Sequence, residues 1–303
     1  MARVDMTAQE FRELFDAVSN WGRWDEGRER GALNHLTPAR TAAAARLVHT
    51  GTTITLSQPL QTEERIDVPE PADHHMTMLP GDDGFAKDYI GLDYHNDGHS
   101  HIDAFCHDAF DGFLFDGSPA SSVTAHGAQA GTIDVLKNGL VGRGVLVDVP
   151  RVRGVSWVEP GEHVFREDLE AAERAQGVRV ETGDILLVRT GHMRRLAELG
   201  PWDTPRAKAG LHPTAARFLA DRRVAALGSD GNNDTAPTTT EGVGFPMHVL
   251  ALNAMGVHLL DYLQLEDVAR HCEAIRRWEF LFAAAPLRIV GGTGSPINPT
   301  AIF

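Results

Sequence analysis

The chain has 303 residues, 42% of them hydrophobic and 23% charged, and a formal net charge of −14. This is the composition of a folded chain long enough to bury a sizeable core, which excludes disorder as the default. The acidic balance argues against a nucleic acid or an anionic membrane as partner, because both attract basic patches, and leaves a small-molecule substrate as the expected one.

Thr7-Ala-Gln-Glu10 forms a capping box ahead of Phe11, Leu14, Phe15 and Val18, whose spacing predicts an amphipathic helix ending near residues 20–22. Thr37 and Pro38 supply an N-cap and a first-turn proline to an alanine-rich helix that Gly51 is expected to close. Residues 53–57 alternate in the manner of a strand, and the stretch 61–84, rich in Pro, Asp, Glu and Gly, is expected to be a mobile surface loop covering a site. Residues 144–149 and 184–189 are predicted buried strands, with a helix over 165–176 between them that Gly177 ends. From Pro213 onward helix and strand alternate: helix to Arg222, strand 224–228, helix 248–253, strand 257–263, helix 266–273 and an apolar strand 280–285. One α/β domain with a helical N-terminal extension is the simplest account, the extension over 1–50 and the main domain over 51–303.

Two cysteines, Cys106 and Cys272, make no disulfide framework and no Cys-x-x-Cys pair, which suits a reducing compartment. Residues 1–30 carry charges throughout, and no eighteen apolar residues run together anywhere, so a cytoplasmic protein is expected. The chain lacks the His-Glu-x-x-His helix of metalloproteases and the Gly-x-Ser-x-Gly elbow of serine hydrolases. Gly291-Gly-Thr-Gly294 lies nine residues from the end of the sequence, too close for the helix of a dinucleotide site, and reads as a turn. Cys106, within an apolar stretch, reads as packing rather than as a nucleophile.

The residues 95–107 hold four of the fifteen histidines and two aspartates. In an extended chain alternate side chains share a face, so His99, His101 and Asp103 would project together, with His95 in phase unless Gly98 bends the chain. Converging imidazole and carboxylate donors are what Zn²⁺ or Mn²⁺ requires.

His101-x-Asp103-x-x-x-His107, preceded by Gly98-His-Ser, resembles the His-x-Gly-Thr-His-x-Asp-x-Pro-x-His signature of the cyclase family of metal-dependent hydrolases, which includes bacterial kynurenine formamidase and isatin hydrolase. Segments at 142–151, 183–191, 228–230 and 285–296 look like further landmarks of that family, and Trp21-Gly-Arg-Trp24 with Gly31-Ala-Leu-Asn34 resembles its longer branch. The resemblance implies a single compact α/β domain around a barrel-like mixed sheet, a divalent cation and assembly as a homodimer or homotetramer. It implies that His101 and Asp103 are metal ligands, that His107 is a catalytic acid/base or a further ligand, and that His248 and Asp261 complete the metal site or lie beside it. The sequence departs from the signature where the first ligand is expected: that position holds Asp97, and the family glycine is His99. Either His95 or His99 then supplies the missing imidazole, strand phase favouring His99. Trp21 and Trp24 are candidates to line the substrate pocket of their own or a neighbouring subunit, or else to anchor the N-terminal helix.

This chemistry implies a water made nucleophilic by the cation, attacking an amide or lactone while His107 relays protons. A metal-dependent lyase, isomerase or cyclase that stabilises an enolate is the alternative enzyme, and a metal-binding protein without an open coordination position is the non-catalytic one.

Overall fold

The apolar runs predicted as buried strands lie at the centre of a nine-stranded mixed sheet. A computed structural model describes residues 5–303, so the first four residues lie outside the described part. In chain order the strands that matter here are β1 (Thr53–Thr55), β2 (Asp73–Met78), β3 (Lys87–Gly91), β4 (His101–Asp103), β5 (Leu140–Asp148), β6 (Ile185–Arg189), β7 (Ala226–Ser229), β8 (His258–Asp261), β9 (Glu279–Ala284), β10 (Gly294–Pro296) and β11 (Thr300–Ile302). The large sheet runs β1-β11-β9-β5-β6-β7-β8-β4-β10 and curls into a half-barrel. Its four central strands, β5 to β8, are parallel, and every strand beyond them pairs antiparallel.

The central strands are apolar at consecutive positions because both faces are covered. Val145, Val147, Leu186 and Val188 point into one core, while Leu146, Ile185 and Leu187 point into the other. Helix α1 (Ala8–Val18) joins the first core through Phe11, Leu14, Phe15 and Val18, and its capping box is formed as the sequence predicts. It stops at Val18 rather than near residue 21, because the next residues turn to bond another segment. Asn20 N donates to the Ala254 carbonyl at 2.9 Å, and the Trp21 indole N–H donates to the Asn253 carbonyl at 2.7 Å.

Two other expectations are corrected. Helix α2 (Pro38–Ala45) ends well before Gly51. Only Ala44 of it is buried, so little packing sustains it, and the amides of Leu47 and Val48 already bond three residues back. The stretch 61–84 is not wholly loop: β2 pairs with β3 in a hairpin whose strands belong to no other sheet. Every residue of β2 is exposed, so neither face shows the apolar alternation by which a strand is read.

The predicted strand 257–263 is β8, only four residues long, because Tyr262 takes a left-handed φ of 54° and turns the chain out of the sheet. The predicted helix at 248–253 is a buried segment from Pro246 to Met255 with π-helical hydrogen bonding over most of its length. No helix among the described residues is long and apolar enough to cross a membrane.

Candidate metal centre

Asp261 ends β8, at the carboxyl end of the parallel strands, where ligand sites of open α/β sheets gather. Antiparallel β4 lies beside it with His101 directly opposite Asp261 and Asp103 opposite Leu259. Residues 101, 103 and 261 therefore share one face of the sheet. Ile102, between the two donors, points the other way into the core.

Asp103 is the focus of the site. Its carboxylate is fully buried, and Oδ1 lies 2.8 Å from His95 Nδ1 and 3.6 Å from His101 Nε2. Oδ2 lies 3.5 Å from His248 Nε2, which is also 3.5 Å from Asp261 Oδ2. None of these approaches is aligned as a hydrogen bond, so both Asp103 oxygens, Asp261 Oδ2 and His95 Nδ1 are buried polar atoms without a hydrogen-bond partner. Such groups are costly unless something else satisfies them. Oxygen and nitrogen lone pairs aimed at a common region, and not at each other's protons, suit a divalent cation. Two overlapping donor sets share Asp103: His101, Asp103 and Asp261, and His95, Asp103 and His107.

Each inward imidazole is tied at its other nitrogen. His101 Nδ1 meets the His99 carbonyl at 2.8 Å, His248 Nδ1 meets Asp234 Oδ2 at 2.6 Å, and His95 Nε2 meets Thr293 Oγ1 at 2.9 Å. Asp261 is held the same way, its Oδ1 accepting from Asn233 Nδ2 at 2.6 Å. Outer partners of this kind fix ring orientation and tautomer at metal sites. His107 differs: among the described residues no hydrogen bond holds its ring, which is partly exposed and stacks on His95 with centroids 3.8 Å apart.

Burial opposes the charge on Asp103, but His101, His248, His95 and His107 outweigh it and hold the carboxyl well below its ordinary range. Burial likewise opposes the charge on His248, yet the carboxylates of Asp103, Asp234 and Asp261 raise its imidazole well above the usual value. His107 is pushed down to about 4, chiefly by burial, against the pull of Asp103. It is therefore neutral at pH 7 and free to accept a proton.

The structure brings together His95, His101, Asp103, His107, His248 and Asp261 and leaves out His99. The strand phase that favoured His99 does not apply, because β4 begins only at His101 and a turn at Asp97 and Gly98 precedes it. His99 is buried outside the donor cluster, its two ring nitrogens unpartnered, and burial lowers its pKa. Trp21 and Trp24 do not line the cavity of their own chain; Trp21 packs edge-on against Phe15 and Phe113, and Trp24 against His35. Cys106 is inert packing, its thiol raised to about 11 by burial.

Three partners were missed from sequence: Thr293, Asn233 and Asp234. The polar run Asn232-Asn233-Asp234 just beyond an apolar strand was the available signal, since loops at strand ends carry function. The turn at 291–294 also has a part in the site. A Cβ on Gly294 would fall 2.8 Å from His95 Cε1 and closer still to the Ile102 carbonyl, so only glycine lets β10 pair with β4 while the His95 ring packs against it.

A cavity of about 600 Å³ opens onto His95, His101, His107, His248 and Asp261. Phe245, Pro69, Pro205 and Pro237 form much of its apolar wall. Fold and site together define an α/β protein with a buried histidine–carboxylate centre beside a pocket of small-molecule size.

The family described as "Putative cyclase" matches residues 48–233. A crystal structure described as a novel cyclase is 32% identical, covers 95% of this chain and 99% of its own, and superposes with a TM-score of 0.87. The chain therefore belongs to the cyclase family. An isatin hydrolase bound to the product analogue thioisatinate shares the fold at 21% identity, over 88% of this chain and 97% of its own, with a TM-score of 0.62. A predicted metal-dependent hydrolase from Bacillus stearothermophilus does so at 19% identity, over 82% and 97%, with a TM-score of 0.52. No curated protein matches.

Proposed function

We propose that the protein is a metal-dependent hydrolase that cleaves an amide or lactone of a small cyclic or aromatic substrate, using Zn²⁺ or Mn²⁺. The observation that carries this reading is the buried Asp103 carboxylate, whose two oxygens face three imidazole nitrogens within 3.6 Å without a hydrogen bond. His101, Asp103 and Asp261 would hold the cation, with His95 and His248 completing the donor set. When bound, the cation acidifies water and polarises an acyl oxygen.

The remaining work falls to the chain's own residues. Thr293, the His99 carbonyl, Asp234 and Asn233 keep the donors oriented before substrate arrives. His107, untethered and neutral, takes the proton of the attacking water and returns it to the departing nitrogen or oxygen. Phe245 and the cavity prolines hold the flat body of the substrate and exclude solvent from its ring. Kinship with a family that includes isatin hydrolases supports the reading.

Turnover of an amide and lactone panel in heavy-oxygen water tests it. Hydrolysis places solvent oxygen in the acid product, whereas product formed without that label would move the reaction to the lyase or isomerase class.

A further inference from the structure

The cavity has a second polar pole, which none of the chemistry above uses. Among the described residues Lys208 is the only lysine or arginine lining it, and it is 4% exposed. Its ammonium lies 3.3 Å from Asp97 Oδ1 and donates to the Tyr262 hydroxyl at 3.1 Å, and both of these partners also line the cavity. The backbone around it is fixed: Lys208 and Ala236 exchange both amide hydrogen bonds at 3.0 Å, and the Lys208 carbonyl accepts from Gly161 N at 3.1 Å. An ammonium has three N–H groups. Asp97 Oδ1 and the Tyr262 hydroxyl engage two, and the third meets only Asp97 Oδ2 at 3.5 Å, the outer limit of a hydrogen bond, so a better-placed acceptor in the cavity can take it.

Tyr262 shows that this arrangement is held at a cost. Consecutive strand residues point to opposite faces, yet Asp261 and Tyr262 both line the cavity. The left-handed φ of 54° at Tyr262 makes this possible, an uncommon conformation for a bulky side chain. It is enforced by Tyr262 N donating to the Gly231 carbonyl at 2.8 Å and by the Tyr262 carbonyl accepting from Ser100 Oγ at 2.7 Å. The Tyr262 ring then stacks 6.4 Å from that of His101, and the ammonium lies 5.8 Å from the same Tyr262 ring, so the donor cluster and the ammonium adjoin one side chain. Asp97 occupies the position where the family signature places its first ligand, but here its partner is Lys208.

We propose that Lys208 determines specificity: it donates its third N–H to a carbonyl or carboxylate oxygen that the substrate carries in addition to its scissile acyl group. This rests on the hydrolase reading for the placement of the acyl group at the metal donors. Because Asp97 balances the ammonium, the site selects by a charge-assisted hydrogen bond, and a neutral ketone and a second carboxylate both fit. Asp97 is the positioning residue that holds the ammonium against the cavity wall, and the Tyr262 hydroxyl is a neutral contact beside it.

Calorimetric titration of the zinc-loaded protein tests this without requiring turnover. The probes are benzoate, which has one acyl anion, and phthalate, isophthalate, 2-acetylbenzoate and 3-acetylbenzoate, which add a second acceptor at two spacings. At least one two-acceptor probe is expected to bind about tenfold tighter than benzoate, the worth of one hydrogen bond to a charged group. Whether the acetyl or the dicarboxylate members lead tells which acceptor the site takes. Lys208→Met keeps the apolar stem and should abolish the preference, bringing the two-acceptor probes to the same affinity as benzoate in that variant. Tyr262→Phe leaves the ammonium in place and should retain the preference. The proposal is overturned if the wild type binds all five alike or binds none, if the preference survives Lys208→Met, or if Tyr262→Phe alone removes it. Failure of the hydrolase reading would appear elsewhere, as the absence of label in the heavy-oxygen experiment.

Discussion

Gly294→Ala probes how the site is held. The added methyl carbon would sit 2.8 Å from His95 Cε1, and it would press harder on the Ile102 carbonyl, which as backbone of β4 cannot rotate away. Ordinary carbon contacts begin near ~3.5 Å, so β10 must retreat from β4 or the His95 ring must leave its place against Asp103. Forcing an extra methyl into a packed site of this kind costs about 1–3 kcal/mol. Displacing His95, one of the proposed donors, should weaken metal binding by at least the about 10- to 100-fold that loss of an outer-shell contact costs. Urea unfolding of the metal-free protein reads the first quantity, and competition against a chromogenic chelator reads the second. Gly244→Ala is the control, because nothing lies within 4 Å of a Cβ there and its φ is ordinary. A Gly294→Ala protein as stable as wild type and binding metal as tightly would refute the argument that this glycine seats His95.

Other outcomes follow from the same geometry. His107→Gln is expected to lower turnover by about 10²- to 10⁴-fold with metal content retained, while Asp103→Asn loses the metal; elemental analysis showing equal loss in both would make His107 a ligand and not a proton carrier. Asp234→Asn leaves His248 Nδ1 without its carboxylate at 2.6 Å, so metal affinity should fall about 10- to 100-fold, and an unchanged affinity would deny Asp234 its orienting part. Acid should destabilise the metal-free protein through His192, whose imidazole burial pushes down to about 4 despite the pull of Asp97. The folded pKa lies below the unfolded one, so the unfolded chain takes up the extra proton and stability falls as pH drops from about 6.5 to about 4, by up to ~3 kcal/mol. His192→Gln should flatten that slope in denaturant titrations, and an identical slope would assign the acid sensitivity elsewhere.

Local signals in the chain carried the elements that rest on local physics. The capping box at Thr7 to Glu10, the apolar runs of β5 and β6 and the Gly177 helix end are all where residue spacing places them, because each is settled within a few neighbours. The hairpin of β2 and β3 escaped because exposed strands carry no apolar period. His101 and Asp103 were legible as a pair because alternation within three residues of strand is itself local.

The choice between His95 and His99 was of another kind. It turned on where β4 starts and on Thr293, which lies 198 residues from His95 in the chain and beside it in space. Asn233 and Asp234 orient donors on other segments in the same way. Residue types alone thus announced a cation site, since few other uses bring so many imidazoles and carboxylates together. Which nitrogens turn inward was decided by tertiary contacts, because an imidazole's orientation is set by the partner of its outer nitrogen, and no periodicity along the chain encodes that partner.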